Sequence, residues 1–259
     1  MGYDATAVRL MAGRTASSHA AFFLPHLAPG HRVLDCGCGP GTITVGLADI
    51  VAPGEVRGLE IEASQVEMAR AQVGDRSNLT FDVGSIYEIP ADDASIDRVH
   101  IGAVLMNVQD PPRALREVRR VLKPGGAVGV READQGGDLI APSDPVITQG
   151  LALYTKLRKY NGHDPFLGRR LRGLLDEAGF ERVSVSASYE SHGTPDEIKA
   201  LTDFWRGMIT QSNVATQLLE LGWANQVALG VMASRCGSFA QRPDAFAAYA
   251  WCEAVGWKP

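Results

Sequence analysis

With 259 residues, 45% of them hydrophobic, the chain has enough apolar material for one large α/β domain or a domain carrying a sizeable cap. Its formal net charge of −5 and its dispersed Lys and Arg argue against an electrostatic grip on nucleic acid. Its four cysteines, at 36, 38, 236 and 252, do not form a disulfide framework, the first residues lack a signal-peptide pattern, and no run approaches the roughly 20 apolar residues that span a bilayer. These features predict a cytoplasmic protein with a small-molecule partner, no nucleic-acid partner and no membrane span.

In chain order, short apolar runs alternate with helical patterns, as in a parallel sheet covered by helices. Strand one is expected over 31–36 ("HRVLDC"), a helix over 42–50, strand two over 55–60 ("EVRGLE"), a helix over 63–73, strand three over 78–83 and strand four over 95–101. Between Pro112 and Leu122, Leu115, Val118 and Leu122 share one helical face while Arg113, Arg116, Glu117 and Arg120 share the other. That helix stops at Lys123-Pro124-Gly125-Gly126, and strand five follows over 127–132. From 134 to 165 the pattern loosens around one helix near 147–159. A helix over 168–178 and a strand over 181–187 restore it, 195–237 reads as mostly helical, and 245–257 reads as a last strand.

The run "VLDCGCGPGT" at 33–42 places glycines between strand one and a helix, where they let the backbone turn sharply and approach a ligand. Cys36 and Cys38 read as small fillers, since a structural zinc site needs four ligands and no second pair stands nearby. A nicotinamide fingerprint would require a third glycine where Thr42 stands, which weakens a dehydrogenase reading. Glu60, closing strand two, can accept hydrogen bonds from both hydroxyls of a ribose. A glycine turn plus that acid implies a ribose-bearing ligand without naming it.

Four stretches in order, "VLDCGCGPGTITVGLA" at 33–48, "GEVRGLEIEASQVEMAR" at 54–70, "LTFDVGSIYEIPADDASID" at 79–97 and "DPPRALREVRRVLKPGG" at 110–126, resemble class I S-adenosylmethionine-dependent methyltransferases of the quinone-biosynthesis-like branch (methyltransferase type 11/25). The resemblance covers roughly residues 14–133. It implies a Rossmann-like, doubly wound, mostly parallel seven-stranded sheet with a helical lid, built as one domain with a cap over 1–30, a cofactor-binding core over 31–133, lid and specificity segments over 134–240 and a final strand over 241–259. The implied cofactor is S-adenosyl-L-methionine, released as S-adenosyl-L-homocysteine.

Carried over residue by residue, the resemblance implies that Asp35, Gly37, Cys38, Gly39 and Thr42 surround the methionine part and that Glu60 holds the ribose. It also implies that Ile61 flanks the adenine, that Ser85 and Ile86, after Gly84, meet its edge and face, and that Ile101, Gly102 and Met106 close the site near the sulfonium. The family usually has Asp where this chain has Ser85. The segment 14–27 resembles a helix that covers the cofactor, from which Tyr3, Arg14 and His19 would reach the site.

A sulfonium already carries an activated methyl group, so placement of the acceptor is the main task, with a base needed if the acceptor must lose a proton. Candidate bases are His100, His163 in "YNGHDPF" and Asp134. The acids of "DQGGD" at 134–138 suggest a turn rather than a magnesium site, so no metal is expected. Tyr154, Tyr160, Phe166, Phe204, Trp205, Met208 and Trp223 would form a lid over a small, apolar or aromatic acceptor, taken for O-, N- or C-methylation. The alternative from another class is a cofactor-binding protein that catalyses a reaction such as cyclisation without methyl transfer. The oligomeric expectation is monomer or homodimer.

Overall fold

The computed structural model describes residues 13–73 and 76–259. Five parallel strands form the first part of the sheet: β1 (Val33–Cys36), β2 (Val56–Glu60), β3 (Leu79–Val83), β4 (Ile96–Gly102) and β5 (Leu122–Ala133). Two further strands complete the far side, β7 (Glu181–His192) and β8 (Phe246–Trp257), and a short β6 (Leu139–Ala141) extends the β5 side of β8. The sheet runs β3-β2-β1-β4-β5-β8, with β6 and β7 both antiparallel to β8. Among the described residues the expected seven strands are thus eight. β6 is three residues long, too short to show a period-two pattern against the Gly- and Pro-rich segment around it.

The helices follow from capping and apolar spacing. α1 (Ala16–His19) is a single capped turn, and α2 (Thr42–Val51) starts at Gly41 in a left-handed conformation and buries Leu47, Ala48 and Val51. α3 (Ala63–Val73) matches its expected bounds. α4 (Pro111–Val121) opens where Asp110 accepts from the Arg113 amide, has Pro in its first turn, and buries Leu115, Val118 and Val121 along one stripe. The lid comprises α5 (Pro145–Tyr160), α7 (Pro195–Thr210), α8 (Asn213–Glu220) and α9 (Gln226–Ala240), and α6 (Leu171–Glu177) precedes β7. A reciprocal Thr194–Glu197 capping box starts α7.

Two expected helices are shorter than the pattern suggested. The segment 14–27 carries only α1 and a 3-10 turn at Leu24–His26, because Pro25 has no N–H to continue a helix and Phe23 turns inward to be fully buried against the sheet. The segment 168–178 begins as a 3-10 turn, Leu167–Arg170, before α6.

The apolar core is divided. One cluster joins β1, β4 and β5 to α4 and α6 through Leu34, Ile101, Leu115, Val130 and Leu171. A second packs α2 and α3 on the opposite face through Val33, Leu47, Val66 and Phe81. The lid has its own cluster, built on Ile147, Leu157, Leu201, Trp205, Leu218 and Phe239. Among the described residues, no helix is long and apolar enough to cross a membrane.

Candidate active site

The turn after β1 requires glycine. Gly37, Gly39 and Gly41 have φ of 71°, 52° and 81°, a region that disfavours side chains. A Cβ on Gly37 would stand 2.2 Å from Val104 Cγ2, and one on Gly41 would stand 2.7 Å from Phe81 Cζ. The amides of Gly37 and Cys38 donate to Leu59 O at 2.7 and 3.2 Å, tying the turn to β2. Cys36 and Cys38 are buried, and burial pushes both thiols far above their ordinary range, so they pack as small neutral groups.

Beneath the turn, Asp35 receives the Thr44 hydroxyl at 2.6 Å and faces His100 Nδ1 at 2.8 Å. Because a carboxylate accepts, Nδ1 carries the hydrogen. This buried chain joins β1, α2 and β4. Both Asp35 oxygens are engaged by this chain, and Asp35 does not line the cavity above; neither does Ile101, whose side chain is fully buried in the core toward α4. Two of the expected cofactor contacts therefore support the site from behind. Tyr3 lies outside the described residues.

Glu60 is 2% exposed at the end of β2. Its Oε2 accepts from the Gly39 amide at 3.1 Å, and its Oε1 accepts from the amides of Ile61 and Glu62 at 2.8 and 3.1 Å. These three bonds leave one of the carboxylate's roughly four acceptor positions open. Above it opens a cavity of about 420 Å³ lined by Gly37, Cys38, Gly39, Thr42, Glu60, Ile61, Gly84, Ser85, Ile86, Gly102 and Met106. Most of the expected cofactor residues therefore meet at one place. Ile61 is 68% exposed at its rim, whereas the Ser85 hydroxyl accepts from the Tyr87 amide at 3.2 Å and caps its own turn.

The wall after β4 is bolted from below by Glu132. This fully buried carboxylate accepts from the amides of Val104, Leu105 and Met106 at 2.9, 2.6 and 3.2 Å. Burial pushes its pKa up to about 7 against the pull of those donors. From the lid, Arg158 of α5 donates to Asn107 Oδ1 at 2.7 Å and joins the same wall.

A second cavity, about 630 Å³, lies under the lid. It shares Arg14, Ala133, Phe204 and Trp251 with the first, and its other walls include Tyr154, Phe166, Trp205, Met208 and Tyr249. Tyr160 and Trp223, also expected in the lid, line neither cavity and pack edge to face on each other at 5.4 Å. Trp251 is fixed from several sides: Arg131 lies 4.2 Å over its ring, Glu190 accepts from its Nε1 at 3.0 Å, and Arg14 stands 5.3 Å away. Glu190 is held down to about 2, its burial outweighed by the His19 bond and the Arg14 and Arg131 charges.

None of the three candidate bases faces either cavity. His100 is spent on Asp35 beneath the turn. Asp134 is locked to Arg169 by two bonds of 2.6 Å and caps the turn that follows it, as "DQGGD" suggested. His163 sits behind the β4 wall, its amide donating to Arg158 O at 3.0 Å. The carboxylate that does line the lid cavity is Asp138, which the sequence offered only as half of a metal pair. Tyr249 and Trp251 were also missed as lining residues, although strand alternation through "YAWCE" places Tyr249, Trp251 and Glu253 on one face. Among the described residues, no group of three or more His, Cys, Asp and Glu is arranged to hold a metal.

A parallel sheet with one antiparallel strand inserted beside β5, and a glycine turn facing an acidic strand end, are the marks of the class I S-adenosylmethionine-dependent methyltransferase fold. Comparison with known proteins agrees. Residues 34–130 match the family described as Methyltransferase domain. Over 207 residues the chain is 35% identical to an uncharacterised methyltransferase of Schizosaccharomyces pombe, covering 76% of this chain and 73% of that one. Over 128 residues it is 39% identical to demethylmenaquinone methyltransferase of Staphylococcus aureus, covering 49% of this chain and 51% of the relative. Among solved structures, phosphoethanolamine N-methyltransferase 2 of Haemonchus contortus, in complex with phosphomonomethylethanolamine and S-adenosylhomocysteine, superposes with a TM-score of 0.63 at 19% identity, covering 99% of this chain and 58% of that one. The chain belongs to the methyltransferase-domain family and is an S-adenosylmethionine-dependent methyltransferase.

Proposed function

We propose that the enzyme methylates a small, mainly apolar, ring-bearing molecule bound under the lid. The observation that carries this reading is the aromatic cavity of about 630 Å³ that shares a wall with the cavity over the glycine turn. Pockets of this size and lining suit small organic ligands. The demethylmenaquinone methyltransferase relative, whose name gives an apolar ring compound as its substrate, supports the same class. The methyltransferase relatives favour transfer over a non-transferring cyclase.

The residues around the first cavity fit the cofactor: a side-chain-free turn for close backbone approach, an acid for hydroxyl groups, and apolar side chains for a base. In this reading Gly37, Cys38, Gly39 and Thr42 hold the methionine part, Glu60 the ribose, Ile61 and Ile86 the adenine, and Gly102 and Met106 the region of the sulfonium. When bound, the cofactor supplies a methyl group already activated on sulfur. The chain's own part is to orient the acceptor and exclude water, with Phe204 and Trp251 standing between the two cavities.

A screen with methyl-labelled donor tests this, reading both label transfer and S-adenosylhomocysteine release across ring hydroxyl compounds, phosphobases, peptides and nucleic acids. Transfer to apolar ring compounds is the expected result. Label found in peptides, nucleic acids or phosphobases alone overturns the acceptor class.

A further inference from the structure

Buried carboxylates in this fold are well supplied with donors. Asp35 holds Thr44 and His100, Glu60 and Glu132 each hold three amides, Asp134 holds Arg169, and Glu253 holds Arg131, Ser186 and Ser188. Asp138, which is only half-buried, has a single donor among the described residues. It follows the 3-10 turn Gln135–Gly137, and its Oδ1 accepts from the Ala250 amide at 2.8 Å, which fastens it to β8. Among the described residues, no donor is bonded to its Oδ2 and no cation is paired with it.

The lid cavity onto which Asp138 opens is walled by Tyr154, Phe204, Trp205, Tyr249 and Trp251. A half-buried carboxylate with an oxygen free of protein donors can accept a hydrogen from a ligand in such a cavity. The turn that presents it is held firmly, by the paired Asp134 and Arg169 and by Asp134 N donating to Ala250 O at 2.9 Å. The carboxylate is therefore held in place on the cavity wall.

We propose that Asp138 binds the hydroxyl hydrogen of the acceptor and takes that proton as the oxygen becomes methylated. The proposal rests on the reading of the lid cavity as the acceptor site. Arg14, which also acts on Glu190, lines the same cavity and adds positive charge on the side where an oxygen would lose its proton. The balance is simple: the O–H electron pair stays on oxygen, oxygen bonds the methyl carbon, the pair of the broken C–S bond stays on sulfur, and the proton rests on Asp138 until water removes it. Burial, with Asp134 nearby, pushes Asp138 up to about 6, so it is ionised at neutral pH yet close enough to accept a proton.

Calorimetry of the parent enzyme and Asp138→Asn, both saturated with S-adenosylhomocysteine, tests this with naphthol, its methyl ether methoxynaphthalene, and naphthylmethylamine. The parent should prefer naphthol over the ether by about ten- to a hundredfold, the range of one charge-assisted hydrogen bond, and Asp138→Asn by less than about threefold. The ether should bind both proteins alike. Below about pH 6 the parent should lose its preference as Asp138 protonates.

The charged and titratable groups around Asp138 and its cavity are Asp134 with its partner Arg169, Arg14, Tyr154 and Tyr249, with Glu190, Arg131 and His19 against Trp251 and His192 against Tyr249. All of them remain in Asp138→Asn, so the difference between the two proteins isolates the one carboxylate. Equal binding of naphthol and ether by the parent, or a preference kept in Asp138→Asn, overturns the role of Asp138 and leaves the cavity reading intact. A parent preference for the amine overturns the hydroxyl assignment. If no ring compound binds either protein, the acceptor-cavity reading itself fails.

Discussion

The cavity over the glycine turn and the cavity under the lid share a wall but are built by different means. The first is shaped by backbone, with left-handed glycines and amides gathered by Glu60 and Glu132, and apart from the wall it shares with the second and Arg158 its lining comes from residues 37–108. The second is mostly side chain, contributed by the N-terminal segment, α5, α7 and β8, with a hydrophobic cluster of its own. A site made of backbone depends on a few positions and tolerates little change. A site made of side chains can change its ligand by repacking while the first stays as it is.

That contrast is open to direct attack, and the strongest blow falls on the turn. Gly37→Ala places a methyl group 2.2 Å from Val104 Cγ2 at a φ of 71°. Left-handed strain and overpacking together should cost about 2–6 kcal/mol, read as lost S-adenosylmethionine affinity by calorimetry and a lowered Tm. Next, Glu60→Ala should weaken cofactor binding about ten- to a thousandfold while leaving naphthol binding within about twofold. Equal loss at both cavities would show that they are not separable.

Glu132 gives a smaller effect with a definite sign. Its pKa is raised to about 7 from an ordinary 4.5, so the folded state holds the proton more tightly than the unfolded one. Its contribution is therefore fully present below about pH 4.5, falls as pH rises, and is gone above about pH 7. Urea unfolding should show a loss on the order of 2 kcal/mol between pH 5 and 8 that Glu132→Gln lacks. Smallest of all is Ser85→Asp. Because the Ser85 hydroxyl caps the Tyr87 amide, a carboxylate there should take over the cap. S-adenosylmethionine affinity should then stay within about threefold, or about 0.7 kcal/mol, in the same calorimetric titration. A larger gain would point to the adenine instead.

What could be read from the sequence follows the same division. The glycines at 37, 39 and 41 and the acid at 60 announce themselves because a special φ and a strand-end carboxylate leave local signatures, and the helix over 63–73 and the five parallel strands follow from periodicity. Asp35 and Ile101 sit inside those same motifs yet face away from the cavity, since a motif fixes position along a strand but not which face has been filled from behind. Asp138, Tyr249 and Trp251 come together only when β8 pairs with β5 and β6. No spacing in the sequence links residues 112 apart, and such contacts carry no local mark.

β8 comes last among the strands in chain order, yet it lies inside the sheet with partners along both sides. On a ribosome, the glycine turn and its five parallel strands emerge more than a hundred residues before the strand that joins β5 to β7. Until that strand inserts, β5 presents a bare edge and β7 has nothing to pair with, a condition that invites association with other chains. Strand insertion at such long sequence separation is intrinsically slow. The nascent enzyme thus has the turn that meets its methyl donor well before it has a wall for its acceptor, and its exposure to misassembly is set by how soon residues 246–257 follow.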